Sequence, residues 1–195
     1  MNKTKRKIFE TSMRLFADKG YDATSIEEIT AVVGVAKGTL YYHFSSKEEI
    51  FNFLVEEGMK LLRNSIELKI SKQTNTIDKL KAIILIQTKI IARYNSLISI
   101  VLSQVWGTEP RNQICQKYVN EYLEVIENTI NNGIEKNEIK VIDPKMLSTG
   151  IFGLTFSCSM YKITSPKEFE IDKVYNEILT SLFGGLESLS KETND

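Results

Sequence analysis

The stretch from Ser25 to Glu49 reads SIEEITAVVGVAKGTLYYHFSSKEE, and its punctuation decides the fold. Ser25-Ile26-Glu27-Glu28 is a capping box that satisfies backbone amides at a helix start, and Ile26, Ile29 and Val33 then share one helical face. Gly34 stands where a helix ends in a left-handed residue. Val35-Ala36 leads into a helix from Lys37 to about Phe44, and Ser45-Ser46-Lys47-Glu48-Glu49 opens a long one through about Ile70. Upstream, Lys5 to Lys19 places Ile8, Ser12, Leu15 and Phe16 on one side, with Gly20 just past its end. Three short helices with a glycine turn between the second and third predict a helix-turn-helix arrangement.

Outward from this block the pattern stays helical. Further helices are expected over Thr76 to Tyr94, Ser96 to Trp106 and Gln113 to Lys136, with Gly107 to Asn112 as a break. Asp143-Pro144 opens another to Tyr161, and Ser165-Pro166 opens a last one to about Ser188. With three prolines, ten glycines and no alternating strand pattern, the fold class is all-α. The 195 residues, 42% hydrophobic, suit an N-terminal three-helix domain (residues 1–47) followed by a larger helical one (48–195).

Counting excludes several chemistries. One histidine (His43) and two distant cysteines (Cys115, Cys158) make no Cys/His metal site or redox pair, so neither metal nor cofactor is expected. No P-loop, G-x-G-x-x-G or Ser/His/Asp set is visible, which argues against an enzyme. The uncharged runs from Tyr94 to Thr108 and from Met146 to Tyr161 fall short of the roughly 20 apolar residues of a membrane span. No export signal is read, so a cytoplasmic protein is expected. The 25 basic and 25 acidic residues cancel, but residues 1–47 hold eight of the former and five of the latter. A basic head on an acidic body is expected to favour one orientation toward nucleic acid.

In the third helix Val35, Leu40 and Phe44 point inward, leaving Lys37, Thr39, Tyr42 and His43 on the other faces. A cation, a hydroxyl, a phenol and an imidazole are groups that meet phosphates and base edges, and Gly38 lets a backbone approach closely. Tyr41 or Tyr42 packing on the first helix, and a solvated His43, are the plainer readings. The cluster Lys3, Lys5, Arg6, Lys7 reads either as a solvated tail or as an arm toward DNA.

Leu15-Phe16-Ala17-Asp18-Lys19-Gly20-Tyr21, Ala23-Thr24-Ser25-Ile26, Gly34-Val35, Lys37-Gly38-Thr39-Leu40-Tyr41-Tyr42-His43-Phe44 and Lys47-Glu48-Glu49 together resemble the DNA-binding domain of the tetracycline-repressor (TetR) family. Ala36, Thr30 and Val33 depart from its pattern, and Ala36 removes a hydroxyl able to cap the recognition helix. The resemblance implies an all-helical homodimer with a ligand-binding and dimerisation domain, in which a small-molecule effector releases the protein from double-stranded operator DNA. It implies DNA contacts at Thr24, Ser25, Lys37, Thr39, Tyr41, Tyr42, His43 and Lys47. Thr24, a tyrosine, His43 and Lys47 would grip phosphates, while Lys37 and Thr39 are better placed for bases. The alternative is a helical dimer whose helix-turn-helix serves a protein partner.

For the second half, candidate lining residues of a pocket for an apolar molecule are Met59, Tyr94, Trp106, Tyr118, Tyr122, Phe156 and Met160. Small residues among large apolar ones, Gly150, Gly153 and Ser157, suggest a close helix pairing together with the stripe Ile178, Leu182, Gly185 and Leu189. This is the expected dimer interface, an intrachain core being the other reading.

Overall fold

The structure, a computed structural model, describes residues 3–105, 107–165 and 170–184. Their elements are helical throughout: α1 (Lys3–Lys19), α2 (Ile26–Val33), α3 (Lys37–His43), α4 (Lys47–Ile70), α5 (Thr76–Arg93), α6 (Asn95–Ser103), α7 (Pro110–Glu135), α8 (Pro144–Ile163) and α9 (Ile171–Phe183).

The capping logic explains most boundaries. Ser25 Oγ accepts the Glu28 amide at 3.1 Å, and Gly34 closes α2 at φ +75°. Ser46 caps α4 through the Glu49 amide, and the Glu49 carboxylate accepts from both the amide and hydroxyl of Ser45. Those bonds hold the Glu49 carboxyl below the usual carboxylate range. Ala36 caps α3 with no side-chain bond, as its missing hydroxyl requires.

Two starts differ from expectation. α7 begins at Pro110, inside the expected break, because Glu109-Pro110 supplies a cap and a proline at the first helical position. α9 begins at Ile171 rather than near Ser165, which is non-helical; Pro166 and the expected end near Ser188 lie outside the described residues.

One continuous core runs through the molecule. Ile8, Phe16, Ile29, Leu40 and Phe44 fill the space among α1, α2 and α3, and the first turns of α4 add Ile50, Phe51 and Leu54. The rest of α4 packs on α5 and α7, and α8 and α9 cover α5. The long helix α4 therefore belongs to both halves, as a lever does. No helix among the described residues is long and apolar enough to cross a membrane.

Candidate nucleic-acid interface and its linkage to the helical body

α3 is held from below by Leu40 and Phe44 and presents its other faces outward. Lys37 and Thr39 are exposed, Tyr41 is 45% exposed and Tyr42 is 84% exposed, so neither tyrosine is core. Tyr42 meets the His43 ring edge-on, and His43 is half-buried. A Cβ on Gly38 would meet nothing within 4 Å. A helical glycine costs up to about 1 kcal/mol relative to alanine. Nothing inside the molecule requires this one, which is consistent with an outside body pressing on the face.

Lys37 pairs with Glu27 of α2 at 2.5 Å across the exposed surface. The hydrogen bond raises the lysine's proton affinity and lowers that of Glu27. Ser25 is exposed at the start of α2, next to this pair.

Thr24 and Lys47 need correction as phosphate grips. Thr24 is buried and its hydroxyl donates to the carbonyls of Gly20 (2.9 Å) and Leu15 (3.2 Å), so it locks the α1–α2 turn instead of facing out. The Lys47 ammonium donates to the carbonyls of Tyr21 and Thr24, each at 2.9 Å, and lies over the Tyr21 ring. It serves the same turn. The cations of the expected basic head have partners within the protomer: Lys7 donates to the Val33 carbonyl and Lys5 sits over the Phe44 and Phe53 rings, while Arg6 pairs with Glu10 and Lys19 with Glu28 at the exposed surface.

Sequence reasoning missed the joint between head and body. Tyr21 lies between two cations, Lys47 with Nζ 4.4 Å from its centroid and Arg111 at 4.9 Å from the α7 start. Arg111 also pairs with Asp22 at 3.3 Å, and its Nε donates to Gln104 Oε1 at 2.9 Å. Asn112 donates to the Gln104 carbonyl and accepts the Glu109 amide. A Cβ on Gly107 would fall 2.5 Å from Asn112 Oδ1, so any larger residue there would displace the Asn112 side chain and the bonds it makes to this turn. The α6–α7 turn thus grips the α1–α2 turn. The Glu109-Pro110 pair, read in the sequence as part of a break, could have signalled the helix start, but nothing local signals a partner 89 positions away.

Among the described residues, the candidate pocket residues Tyr94, on the one hand, and Met59, Tyr118 and Tyr122, on the other, line two separate spaces. Met59, Tyr118 and Tyr122 border a space of only about 20 Å³. Tyr122 is fully buried and donates to Gln87 Oε1 at 2.8 Å, while Gln87 donates to the Phe152 carbonyl. Phe156 stacks on Phe152, and Met160 meets Ser99 of α6. Tyr94 instead lines a cavity of about 230 Å³ that also touches Phe9 of α1. Trp106 lies outside the described residues. Burial pushes the Cys115 thiol up to about 11, which makes it unreactive near neutrality, and no cluster of three or more His, Cys, Asp or Glu able to hold a metal occurs among the described residues.

On α8, Gly150 and Ser157 are exposed and Gly153 half-buried, and Met146 (71% exposed) and Tyr161 (70%) extend the same stripe. Ile178 is a correction: it is 1% exposed and packs inside the protomer, because α9 turns that face toward α5. Leu182 is also partly covered by the core, and Gly185 and Leu189 lie outside the described residues.

Comparison with known proteins completes the picture. The profile of the bacterial regulatory proteins of the tetR family matches residues 8–54, and that of the tetracyclin repressor-like C-terminal domain matches residues 73–160. A chain from Clostridium perfringens, named as a candidate fatty acid metabolism regulator, is 34% identical, with a TM-score of 0.85 over 93% of this chain and 100% of that one. The Bacillus subtilis regulator FadR in complex with stearoyl-CoA shares the fold at 23% identity, with a TM-score of 0.82 over 93% of this chain and 99% of that one. AibR in complex with isovaleryl coenzyme A and operator DNA does so at 22%, with a TM-score of 0.79 over 94% and 100%. With an outward-facing helix-turn-helix on a helical body and both family profiles in register, the chain belongs to the tetR family of bacterial regulatory proteins and is a DNA-binding transcriptional regulator.

Proposed function

We propose that this chain is a repressor that leaves a pseudo-palindromic operator when it binds a small, largely apolar effector, and that the effector is an acyl-coenzyme A thioester. The observation that carries the DNA part is the α3 face, where Tyr42 is 84% exposed and Gly38 leaves open space. The effector class rests on the 34% identical relative and on the acyl-coenzyme A ligands of FadR and AibR. The contact set is Ser25, Lys37, Thr39, Tyr41, Tyr42 and His43. We further propose a homodimer pairing through the Gly150, Gly153 and Ser157 stripe, so that two recognition helices enter major grooves about 34 to 36 Å apart, or a multiple of that. Residues 1–47 would read DNA and residues 48–195 would bind effector and partner. The chain acts in the cytoplasm by binding, not by catalysis.

Binding sites selected from random DNA supply the operator for the test. Lys37→Ala and Tyr42→Ala lower operator affinity at least tenfold with unchanged helicity and dimer mass, since a base or phosphate contact is worth about 1–3 kcal/mol. Parent-like affinity in both variants sinks the contact assignment. At least one thioester of a series from isovaleryl-CoA through octanoyl-CoA to stearoyl-CoA weakens the operator complex, and operator weakens its binding by the same factor. A complex indifferent to every acyl-coenzyme A tried sinks the effector class.

A further inference from the structure

The cavity of about 230 Å³ lies where the two halves meet. Its walls are Phe9 on α1, Glu57 and Leu61 on α4, Ile90 and Tyr94 on α5, and Ile98 on α6. Hence one wall belongs to the reading head and the others to the body. Resting on the acyl-coenzyme A reading above, we propose that this cavity seats the hydrocarbon end of the effector: a compact chain or ring of about six to eight carbons on a neutral, hydrogen-bond-donating arm.

Size sets the hydrocarbon. A dry apolar cavity of about 150 Å³ takes up benzene, so this one holds a somewhat larger group. The alternative space at Met59, Tyr118 and Tyr122, about 20 Å³, has room for about one water and for no hydrocarbon chain. The broader groove of about 510 Å³ beside Ile139 and Leu147 touches no residue of α1 to α3.

Charge sets the arm. Among the described residues that line the cavity, Glu57 is the one carboxylate. Lys60 lies 3.6 Å from it but is drawn to Glu56 at 2.6 Å, which leaves the Glu57 carboxylate acceptor capacity. It repels a free carboxylate and accepts an amide N–H, the group the arm of an acyl thioester carries.

Position sets the consequence. Phe9 packs edge-on against Phe53 of α4 at 5.9 Å, and Arg6, one turn earlier on α1, interacts with Tyr94. A ligand wedged here favours whichever head orientation widens the cavity, which is the differential affinity an effector requires.

The test uses the full dimer with isotope-labelled isoleucine methyls and octanoyl-CoA as the probe. The Ile90 and Ile98 signals shift on addition while those of Ile83 and Ile126, buried between α5 and α7, do not. Ile98→Phe, a half-buried position that narrows the cavity, weakens octanoyl-CoA binding at least tenfold at unchanged melting temperature. Octanoate binds at least tenfold more weakly than octanoyl-CoA to the parent chain, and Glu57→Gln narrows that gap. Binding with shifts confined to Ile83 and Ile126 overturns the site and leaves the effector class standing, as does full affinity in Ile98→Phe. Octanoate binding as tightly as the thioester overturns the neutral arm. If no thioester of the series from isovaleryl-CoA to stearoyl-CoA binds the parent chain, the effector class falls and the site with it.

Discussion

In the reading head, partners sit close in sequence: Lys19 and Glu28 are 9 positions apart, Lys47 and Thr24 are 23, and Lys7 and Val33 are 26. In the body the deciding contacts span 35 positions for Tyr122 and Gln87, 62 for Thr76 and Glu138, and 65 for Gln87 and Phe152. The joint between them, Arg111 with Asp22, spans 89. The head is therefore assembled from local rules, while the body and the joint depend on which helices the whole chain brings together.

Three substitutions test how far this contrast reaches. The largest effect is expected from Tyr122→Ala, which removes a fully buried ring and strands the Gln87 amide. The loss is about 3–5 kcal/mol, or roughly 6–20 °C in melting temperature for a chain of this size. Because one core runs through both halves, calorimetry should record the head melting with the body; a head that melts on its own after this change breaks the picture of a shared core. Next comes Arg111→Ala. Asp22 is 79% exposed and surface pairs contribute about 0–1 kcal/mol, so melting changes little. Operator affinity without effector also stays near the parent value, whereas the effector-driven loss of operator affinity shrinks about fivefold or more. Undiminished release measured by fluorescence anisotropy would show that the joint carries no signal. The smallest effect has the opposite sign. Thr155 is buried without a hydrogen-bond partner for its hydroxyl, and Thr155→Val is expected to raise stability by about 1 kcal/mol, or roughly 2–4 °C. A fall in melting temperature would mean that the hydroxyl is satisfied in solution.

The same contrast governs what the amino-acid order discloses. The boundaries of α2, α3 and α4 follow from Ser25, Gly34 and Ser46, whose side chains or dihedral angles act within four residues. The outward face of α3 follows from three inward apolar positions. Thr24 and Lys47 escaped because a hydroxyl and an ammonium serve a phosphate or a carbonyl equally well, and only the fold of the α1–α2 turn decides between them. The pocket escaped for a related reason. Tyr94 and Tyr122 have similar local surroundings, yet one lines an open cavity and the other fills a core, a difference set by helices far away in the chain. Ile178 reads as an interface residue by periodicity, and the direction in which α9 faces cannot be inferred from periodicity alone.

The pairing of the head's cations has a consequence in ionic terms. Each phosphate neutralised by a free lysine or arginine steepens the fall of affinity with salt by about 0.9 in a logarithmic plot. Here Lys7 and Lys47 cap carbonyls, Arg6, Lys19 and Lys37 face glutamates, and Lys5 covers aromatic rings. The pairs of Arg6, Lys19 and Lys37 lie at the surface and hold by only about 0–1 kcal/mol each, so a phosphate can open them, and the salt slope of operator binding counts how many of these cations leave their glutamates for DNA.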